Sequence, residues 1–189
     1  MNRIEASKAA HELLQMMKPF LDRAQIAGSI RRKKENVKDI EIVAIPKNKK
    51  ITNMFGEVMD IMPMTEYINF VDMLEGWKLD NIVKRNGKKY KRLFNPDLNV
   101  CCDLFLTDLD RWGYQITIRT GPADFSRKVV TIALERGWHF TDSLLHVHPK
   151  IADIPCSKGD SCPLIKPIVS EEALFEALGL PWIEPKDRN

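Results

Sequence analysis

The chain has 189 residues, of which 44% are hydrophobic and 29% are charged, enough apolar material for one domain or two small lobes. With only four Cys, this composition excludes a disordered chain, a collagen-like repeat and a disulfide scaffold. No apolar run is long enough for a transmembrane helix, and the start, MNRIEASKAA, lacks the apolar core of a secretory signal. We therefore expect a cytoplasmic protein without membrane contact, whose thiols stay reduced.

Hydrophobic periodicity predicts helices and strands in the first half of the chain. In chain order these are a helix over 3–18 ended by Pro19, a turn over 26–30, a strand over 39–45, a helix from Tyr67 to Gly76, a hairpin at Asn86-Gly87 and a strand over 100–106.

The pattern changes after Arg111. A helix should follow Thr120-Gly121-Pro122, hairpins and loops should fill 138–168, and Ser170 should cap a last helix that ends at Gly179. We expect an α+β fold with one mixed lobe over residues 1–110 and a smaller lobe over 111–189.

Positive charge is concentrated in the first half. Residues 1–92 hold 19 Lys and Arg against 12 Asp and Glu, whereas residues 93–189 hold 10 against 14. Much of the excess lies in three clusters, at 31–34, 47–50 and 84–92. One lysine cluster is usually a solvated turn, but three in one half favour a polyanionic partner.

Three carboxylates lie in the predicted strands. Asp39 and Glu41 are two residues apart and therefore share a strand face, while Asp103 interrupts the apolar run VCCDLFL. A solvated strand edge would explain the first pair equally well. A third carboxylate in a buried strand instead favours a shared site for Mg²⁺ or Mn²⁺, because a buried unpaired Asp is costly. Two such ions, about 3.5–4 Å apart, would clamp both oxygens of an in-line phosphoryl transfer.

A phosphate-binding segment precedes these carboxylates. Gly28 allows close backbone approach, the Ser29 hydroxyl is a donor, and Arg31 and Arg32 can neutralise phosphate charge. A glycine-serine pair alone is a weak signal. Its combination with two arginines, a DxE motif beginning ten residues after the serine and a later strand Asp is a strong one.

Together, GSIRR at 28–32, DIE at 39–41 and Asp103 closely resemble the nucleotidyltransferase signature of the family X DNA polymerases, the polymerase beta-like family. The resemblance continues through Thr120-Gly121 to the tail LGLPWIEP at 178–185, so it covers nearly the whole chain. It implies a nucleotidyltransferase palm, a mixed sheet flanked by helices, with the N-terminal helix, followed by a small α+β thumb subdomain. It also implies transfer of dNMP from a dNTP to the 3′-OH of gapped or primer-template DNA, for short-gap filling or repair, with release of pyrophosphate.

The resemblance assigns roles to individual residues. Asp39, Glu41 and Asp103 would be the catalytic ligands of two Mg²⁺ ions, with Mn²⁺ as a substitute. The residues expected around the incoming nucleotide are Gly28, Ser29, Arg32, Thr120, Gly121, Ser126 and Arg127. The densest basic cluster is expected to bind DNA, through Lys84, Arg85, Lys88, Lys89, Lys91 and Arg92. We expect a monomer.

The sequence departs from the family pattern at three places. Glu41 stands where the family commonly has Asp, Ile118-Arg119 replace a usual Tyr-Phe pair, and Pro122 replaces a usual Ser. Only 27 residues precede Gly28, so the lyase and helix-hairpin-helix domains of larger members, and lyase activity, are not expected. This reduced plan is similar to that of the smallest viral and phage members.

Two other functions were considered. A nucleotidyltransferase acting on RNA or a small acceptor would carry the same three carboxylates, but the basic first half and the nearly complete thumb segment favour a DNA polymerase. A non-catalytic DNA-binding module is disfavoured because all three carboxylates and Ser29 are present.

A structural zinc site is a separate hypothesis, with His146, His148, Cys156 and Cys162 as the ligands. The spacing of the two cysteines is loose for such a site.

Overall fold

The structure, a computed structural model, describes residues 1–80, 86–147 and 162–188. The chain divides into two compact units, Met1–Thr107 and Asp108–Asn189. Within the described ranges, no helix is long and apolar enough to cross a membrane.

The first unit is built on a mixed five-stranded sheet. The described residues of this unit form seven strands in two sheets. In chain order the strands are β1 (Leu21–Ile26), β2 (Ile40–Pro46), β3 (Asn48–Thr52), β4 (Val58–Pro63), β5 (Lys78–Leu79), β6 (Tyr90–Asn95) and β7 (Val100–Leu106). The main sheet has the order β1-β2-β7-β6-β5, in which β2 and β7 are parallel and the other pairs are antiparallel. The antiparallel pair β3 and β4 forms a separate two-stranded ribbon.

Three α-helices belong to the first unit, namely α1 (Arg3–Met17), α2 (Gly28–Arg31) and α3 (Met64–Tyr67). Helix α1 begins where the Asn2 side chain accepts a hydrogen bond from the Glu5 backbone N–H. Its buried stripe includes Ala6, Ala10 and Leu13, which join one apolar core with residues of the central strands. The periodicity of the sequence therefore determines which helix face the sheet buries.

The second unit combines three helices with a small antiparallel sheet. Its elements are α4 (Leu109–Thr120), α5 (Ala123–Glu135), β8 (His139–Thr141), β9 (Leu144–His146), β10 (Ile165–Lys166) and α6 (Glu171–Ala177), with the strands in the order β10-β9-β8. Phe125, Leu145 and Leu174 belong to its separate core. As predicted, Ser170 caps α6, because its side chain accepts a hydrogen bond from the Ala173 N–H.

These observations confirm the predicted α+β class and correct several elements. The helix predicted from Tyr67 to Gly76 is wrong, since the chain forms α3 and then a 3₁₀ turn at Phe70–Met73. Ile68 is extended between them and ends α3. Strand β1, the β3–β4 ribbon and helix α4 were not predicted, because their polar residues obscure the apolar period.

Candidate active site

The parallel pairing of β2 with β7 places two of the carboxylates side by side. Glu41 and Asp103 are register partners on neighbouring strands, and Asp39 directly precedes β2. Burial raises the pKa of the Cys102 thiol, and the negative charges of Asp103, Glu41 and Asp39 raise it further. All three carboxylates are therefore near enough to the same buried side chain to act on it electrostatically.

The turn that begins α2 lies directly against Glu41. The Ala27 N–H donates a hydrogen bond to the Glu41 carbonyl oxygen at 2.8 Å. Gly28 has a φ of +59°, and a Cβ at this position would lie 1.8 Å from Glu41 Oε2. Only glycine allows both the left-handed conformation and this close approach. The glycine of the predicted phosphate-binding segment thus determines where the Glu41 carboxylate can lie.

We expect Gly28→Ala to displace the Glu41 side chain. The rate of nucleotide addition should fall strongly, while the free energy of unfolding should fall only slightly. The left-handed backbone costs an alanine about 1 kcal/mol, whereas the clash with Oε2 moves a carboxylate of the site. Steady-state primer extension and thermal unfolding of the same preparation would separate the two effects. A matched control is Gly56→Ala, which has a similar positive φ but nothing within 4 Å of an added Cβ. Equal activities of the two variants would contradict a role for Gly28 in placing Glu41.

An open cleft lies between the turn that begins α2 and the carboxylates of Asp39 and Glu41. It has a volume of about 530 Å³ and is lined by Ser29, Arg32, Asp39 and Glu41, with charged and polar residues of 34–38. Burial lowers the pKa of Arg32, and the charge of Glu41 acts in the opposite direction. A cleft that combines a hydroxyl, cations and carboxylates has the donors needed for a triphosphate and its divalent ion.

Asp103 is held by two residues of β6. The Tyr90 hydroxyl donates a hydrogen bond to Asp103 Oδ1 at 2.6 Å. Arg92 Nη1 lies 2.9 Å from Oδ1 and 3.1 Å from Oδ2, and Arg92 Nε lies 3.8 Å from Asp80 Oδ2. The structure therefore places Arg92, which the sequence analysis assigned to DNA, in an ion pair with a carboxylate of the site.

The donor set fits a divalent metal ion, but the carboxylates do not converge in this conformation. Carboxylate oxygens are the ligands that Mg²⁺ prefers, and Asp39, Glu41 and Asp103 supply them from one edge of the site. Within residues 1–80, 86–147 and 162–188, however, no three His, Cys, Asp or Glu side chains are placed to hold a metal ion. Tyr90 and Arg92 already donate hydrogen bonds to Asp103, so a metal ion at this carboxylate would compete with them for its oxygens.

Comparison with known proteins identifies the fold. Residues 116–189 match the family model of the DNA polymerase beta thumb. All of the chain is similar to Leishmania infantum polymerase beta in a ternary P/T complex, with 16% identity, a TM-score of 0.73 and 76% of that chain covered. The same protein in a ternary gap complex matches with 15% identity, a TM-score of 0.73 and 70% covered. The fold is polymerase beta-like. No curated protein sequence matches it significantly.

The second unit contains four of the predicted nucleotide-binding residues, and three of them have packing contacts. Thr120 is fully buried, and a Cβ on Gly121 would lie 2.4 Å from Phe125 Cδ1. The Ser126 hydroxyl donates to the Ile118 carbonyl oxygen at 2.9 Å, which ties α5 to α4. Arg127 is exposed and pairs with Asp124 on the same helix. A nucleotide role for these residues stays a prediction.

The basic cluster predicted to bind DNA is only partly open to solvent. Lys88 is exposed, with Nζ 2.9 Å from Glu66 Oε2. The half-buried Lys91 donates to Asn86 Oδ1 at 2.9 Å, and burial lowers its pKa. Lys89 is exposed beside them. Lys84 and Arg85 lie outside the described residues.

Sequence reasoning missed Tyr90 and Arg92 as partners of Asp103. The alternation of Tyr90, Arg92 and Phe94 could have predicted that these side chains share one face of a strand.

Of the residues predicted for a zinc site, His146 is fully buried and stacks on His139, with ring centroids 5.1 Å apart. His148 and Cys156 lie outside the described residues.

Proposed function

We propose that this protein adds deoxynucleotides to the 3′-OH of gapped or primer-template DNA and releases pyrophosphate. The observation that carries the proposal is the pairing of Glu41 with Asp103 across parallel strands, beside a cleft lined by Ser29, Arg32 and Asp39. The match to the polymerase beta thumb supports DNA as the substrate. The two structures of Leishmania infantum polymerase beta, which are a ternary P/T complex and a ternary gap complex, support it as well.

In this mechanism, the Ser29 hydroxyl and the Arg32 guanidinium bind the β- and γ-phosphates of the dNTP. Asp39, Glu41 and Asp103 would hold Mg²⁺, which when bound neutralises phosphate charge and lowers the pKa of the primer hydroxyl. Asp103 would lie nearest the 3′-OH and help to take up its proton, while the 3′ oxygen forms a bond to the α-phosphorus as the bond to the leaving pyrophosphate breaks. Positioning and charge stabilisation suffice, so no covalent intermediate with the protein forms.

Primer extension with labelled DNA tests the proposal. Gapped, primer-template and single-stranded substrates should be compared in Mg²⁺ and in Mn²⁺, each with all four dNTPs and with single dNTPs. We expect addition directed by the template base and abolished by a chelator. Labelling of tRNA or a small acceptor, with no DNA product, would instead indicate the RNA-directed alternative.

We expect Tyr90→Phe to lower the Mg²⁺ concentration that gives half-maximal extension by about two- to tenfold. The Tyr90 hydroxyl donates to Asp103 Oδ1, and a neutral hydrogen bond contributes about 0.5–1.5 kcal/mol that a metal ion must replace. The Phe ring keeps the contact with Phe105, whose centroid lies 5.3 Å away. Titration of extension rate against Mg²⁺ measures the shift. A higher Mg²⁺ requirement would mean that the hydroxyl positions Asp103 for the ion rather than competing with it.

The salt dependence of DNA binding tests the basic cluster. Replacing Lys88, Lys89 and Lys91 with Ala should weaken binding to every DNA sequence and reduce the slope of log K against log salt by about 0.9 per true phosphate contact. Lys88 pairs with Glu66 and Lys91 donates to Asn86, so a phosphate contact at either lysine must replace that contact. Anisotropy titrations at several salt concentrations give the slope. An unchanged slope would indicate that these lysines do not contact DNA, and the clusters at 31–34 and 47–50 would become the candidates.

A further inference from the structure

The ribbon formed by β3 and β4 exposes a concentrated set of large apolar side chains. Met54, Phe55 and Met59 are 90%, 81% and 67% exposed. Val58 and Ile61 are exposed on the same ribbon. Large exposed apolar side chains concentrated on one element of a globular unit commonly mark an interaction site.

The tip of this ribbon is held in one conformation by its own hydrogen bonds. Asn53 Oδ1 accepts from the backbone N–H groups of Phe55 at 2.9 Å and Glu57 at 3.1 Å. The Asn53 side-chain amide also donates to Glu57 Oε2 at 2.7 Å, and Gly56 adopts a φ of +81°. Met54 and Phe55 therefore project into solvent from an ordered turn, which reduces the entropy lost when a partner binds.

Lys47 fixes the base of the ribbon to the 3₁₀ turn before β1 and to the start of α3. Its N–H donates to the Phe20 carbonyl oxygen at 2.9 Å, and its carbonyl oxygen accepts from the Met64 N–H at 2.7 Å. Lys47 Nζ also donates to the Pro19 carbonyl oxygen at 3.1 Å. The ribbon follows β2 at the end opposite Glu41, so Lys47 at its base is six residues, or about 20 Å along the strand, from Glu41.

We propose that the β3–β4 ribbon is a DNA-binding arm in which Phe55 and Met54 insert against the bases and Lys49 and Lys50 contact phosphates. This inference rests on the proposed function. Met and Phe are among the side chains that proteins wedge between base steps, and a two-stranded ribbon fits a DNA groove. Lys50 is exposed directly opposite Ile61 in the register of the ribbon, so a cation borders the apolar surface.

A second copy of the chain fits this surface less well. Stable protein interfaces bury about 800 Å² per partner, which five side chains on a narrow ribbon do not provide. Two copies paired through their ribbons would also bring the exposed lysines of β3 together. DNA instead offers phosphates to these cations and base faces to the apolar tip.

The distance between the ribbon and Glu41 predicts which kinetic parameter the arm affects. The base of the ribbon is about 20 Å along β2 from Glu41, which corresponds to about six base-pair steps of duplex, so we expect the ribbon to contact DNA away from the reacting 3′-OH. Removing the Phe55 ring should therefore weaken DNA binding by about tenfold, the effect of losing one base-aromatic stack. The rate of nucleotide addition at saturating DNA should stay unchanged.

The experiment uses the full chain and gapped duplex DNA carrying 2-aminopurine at successive positions. Fluorescence anisotropy gives the affinity of wild type, Phe55→Ala, Met54→Ala and Phe55→Tyr, and 2-aminopurine emission reports unstacking of a base. A matched control is Met73→Ala, which removes a 60% exposed side chain outside the ribbon. Primer extension at saturating DNA is measured for every variant, and sedimentation gives the oligomeric state.

The expected result is a local rise in 2-aminopurine emission with wild type, Phe55→Tyr and Met73→Ala, lost in Phe55→Ala together with about tenfold in affinity. If Phe55→Ala and Met54→Ala both keep the DNA affinity and the 2-aminopurine emission of wild type, the ribbon is not a DNA-binding arm. The proposed function would remain intact. A dimer that Phe55→Ala disrupts, with unchanged DNA affinity, would overturn it in favour of a second copy. A wild-type protein that neither binds nor extends DNA would overturn both proposals.

Discussion

Asp103→Ala is expected to reduce nucleotide addition by at least about 10³-fold, because it removes a metal ligand and the carboxylate nearest the attacking hydroxyl. The substitution also removes the acceptor of Tyr90 and Arg92, so some loss of stability should accompany it. Single-turnover extension at saturating DNA and dNTP measures the chemical step, and circular dichroism with thermal unfolding measures the fold.

Asp103→Asn separates the catalytic effect from the structural one. Its amide oxygen can still accept from Tyr90 and Arg92, so the fold should persist, but the amide binds a divalent ion far less well than a carboxylate. The matched control is Asp97→Asn, which removes an exposed charge from the turn between β6 and β7. Near-normal turnover of a folded Asp103→Asn protein would contradict the assignment of Asp103 and, with it, the proposed mechanism.

The parts of the site that local sequence could predict are those defined by short motifs. The strand predicted over 100–106 is β7 with the same bounds, because a short apolar run broken by a single charge has few alternatives to a buried strand. The strand depends on residues a few positions apart, so the sequence carries it directly. Gly28 was predicted to allow close approach to a phosphate, which stays a prediction, whereas its contact with Glu41 joins residues 13 positions apart and was not predicted.

The partners of Asp103 could not be predicted in the same way. Arg92 faces Asp103 because of the antiparallel register of β6 and β7, a long-range pairing that no local pattern specifies. The density of Lys and Arg around it favoured a solvent-exposed DNA contact instead. The ribbon was missed for a related reason. Its strands have no buried face, so neither the apolar alternation nor a continuous apolar run that predicts a strand is present.

The end of the chain holds the second unit together through a buried ion pair. Arg188 Nη1 donates to Glu171 Oε1 at 2.7 Å, and Arg188 Nε donates to the Ile183 carbonyl oxygen at 3.1 Å. Its guanidinium carbon lies 5.3 Å from the ring centroids of Phe125, Phe175 and Trp182. Both charged side chains are almost fully buried. The pair therefore connects the tail to α5 and α6 in an environment that water does not screen.

We expect Arg188→Ala to lower the free energy of unfolding by about 3–5 kcal/mol, because it leaves the Glu171 carboxylate buried without its cation. Urea unfolding followed by tryptophan fluorescence measures the change, since Trp182 reports directly on the site. Arg127→Ala, which removes an exposed ion pair on α5, should cost less than about 1 kcal/mol. The double variant Arg188→Met/Glu171→Leu should recover much of the loss, because an apolar pair avoids the desolvation of two charges. If Arg188→Ala unfolds at the same urea concentration as Arg127→Ala, the tail does not stabilise this unit.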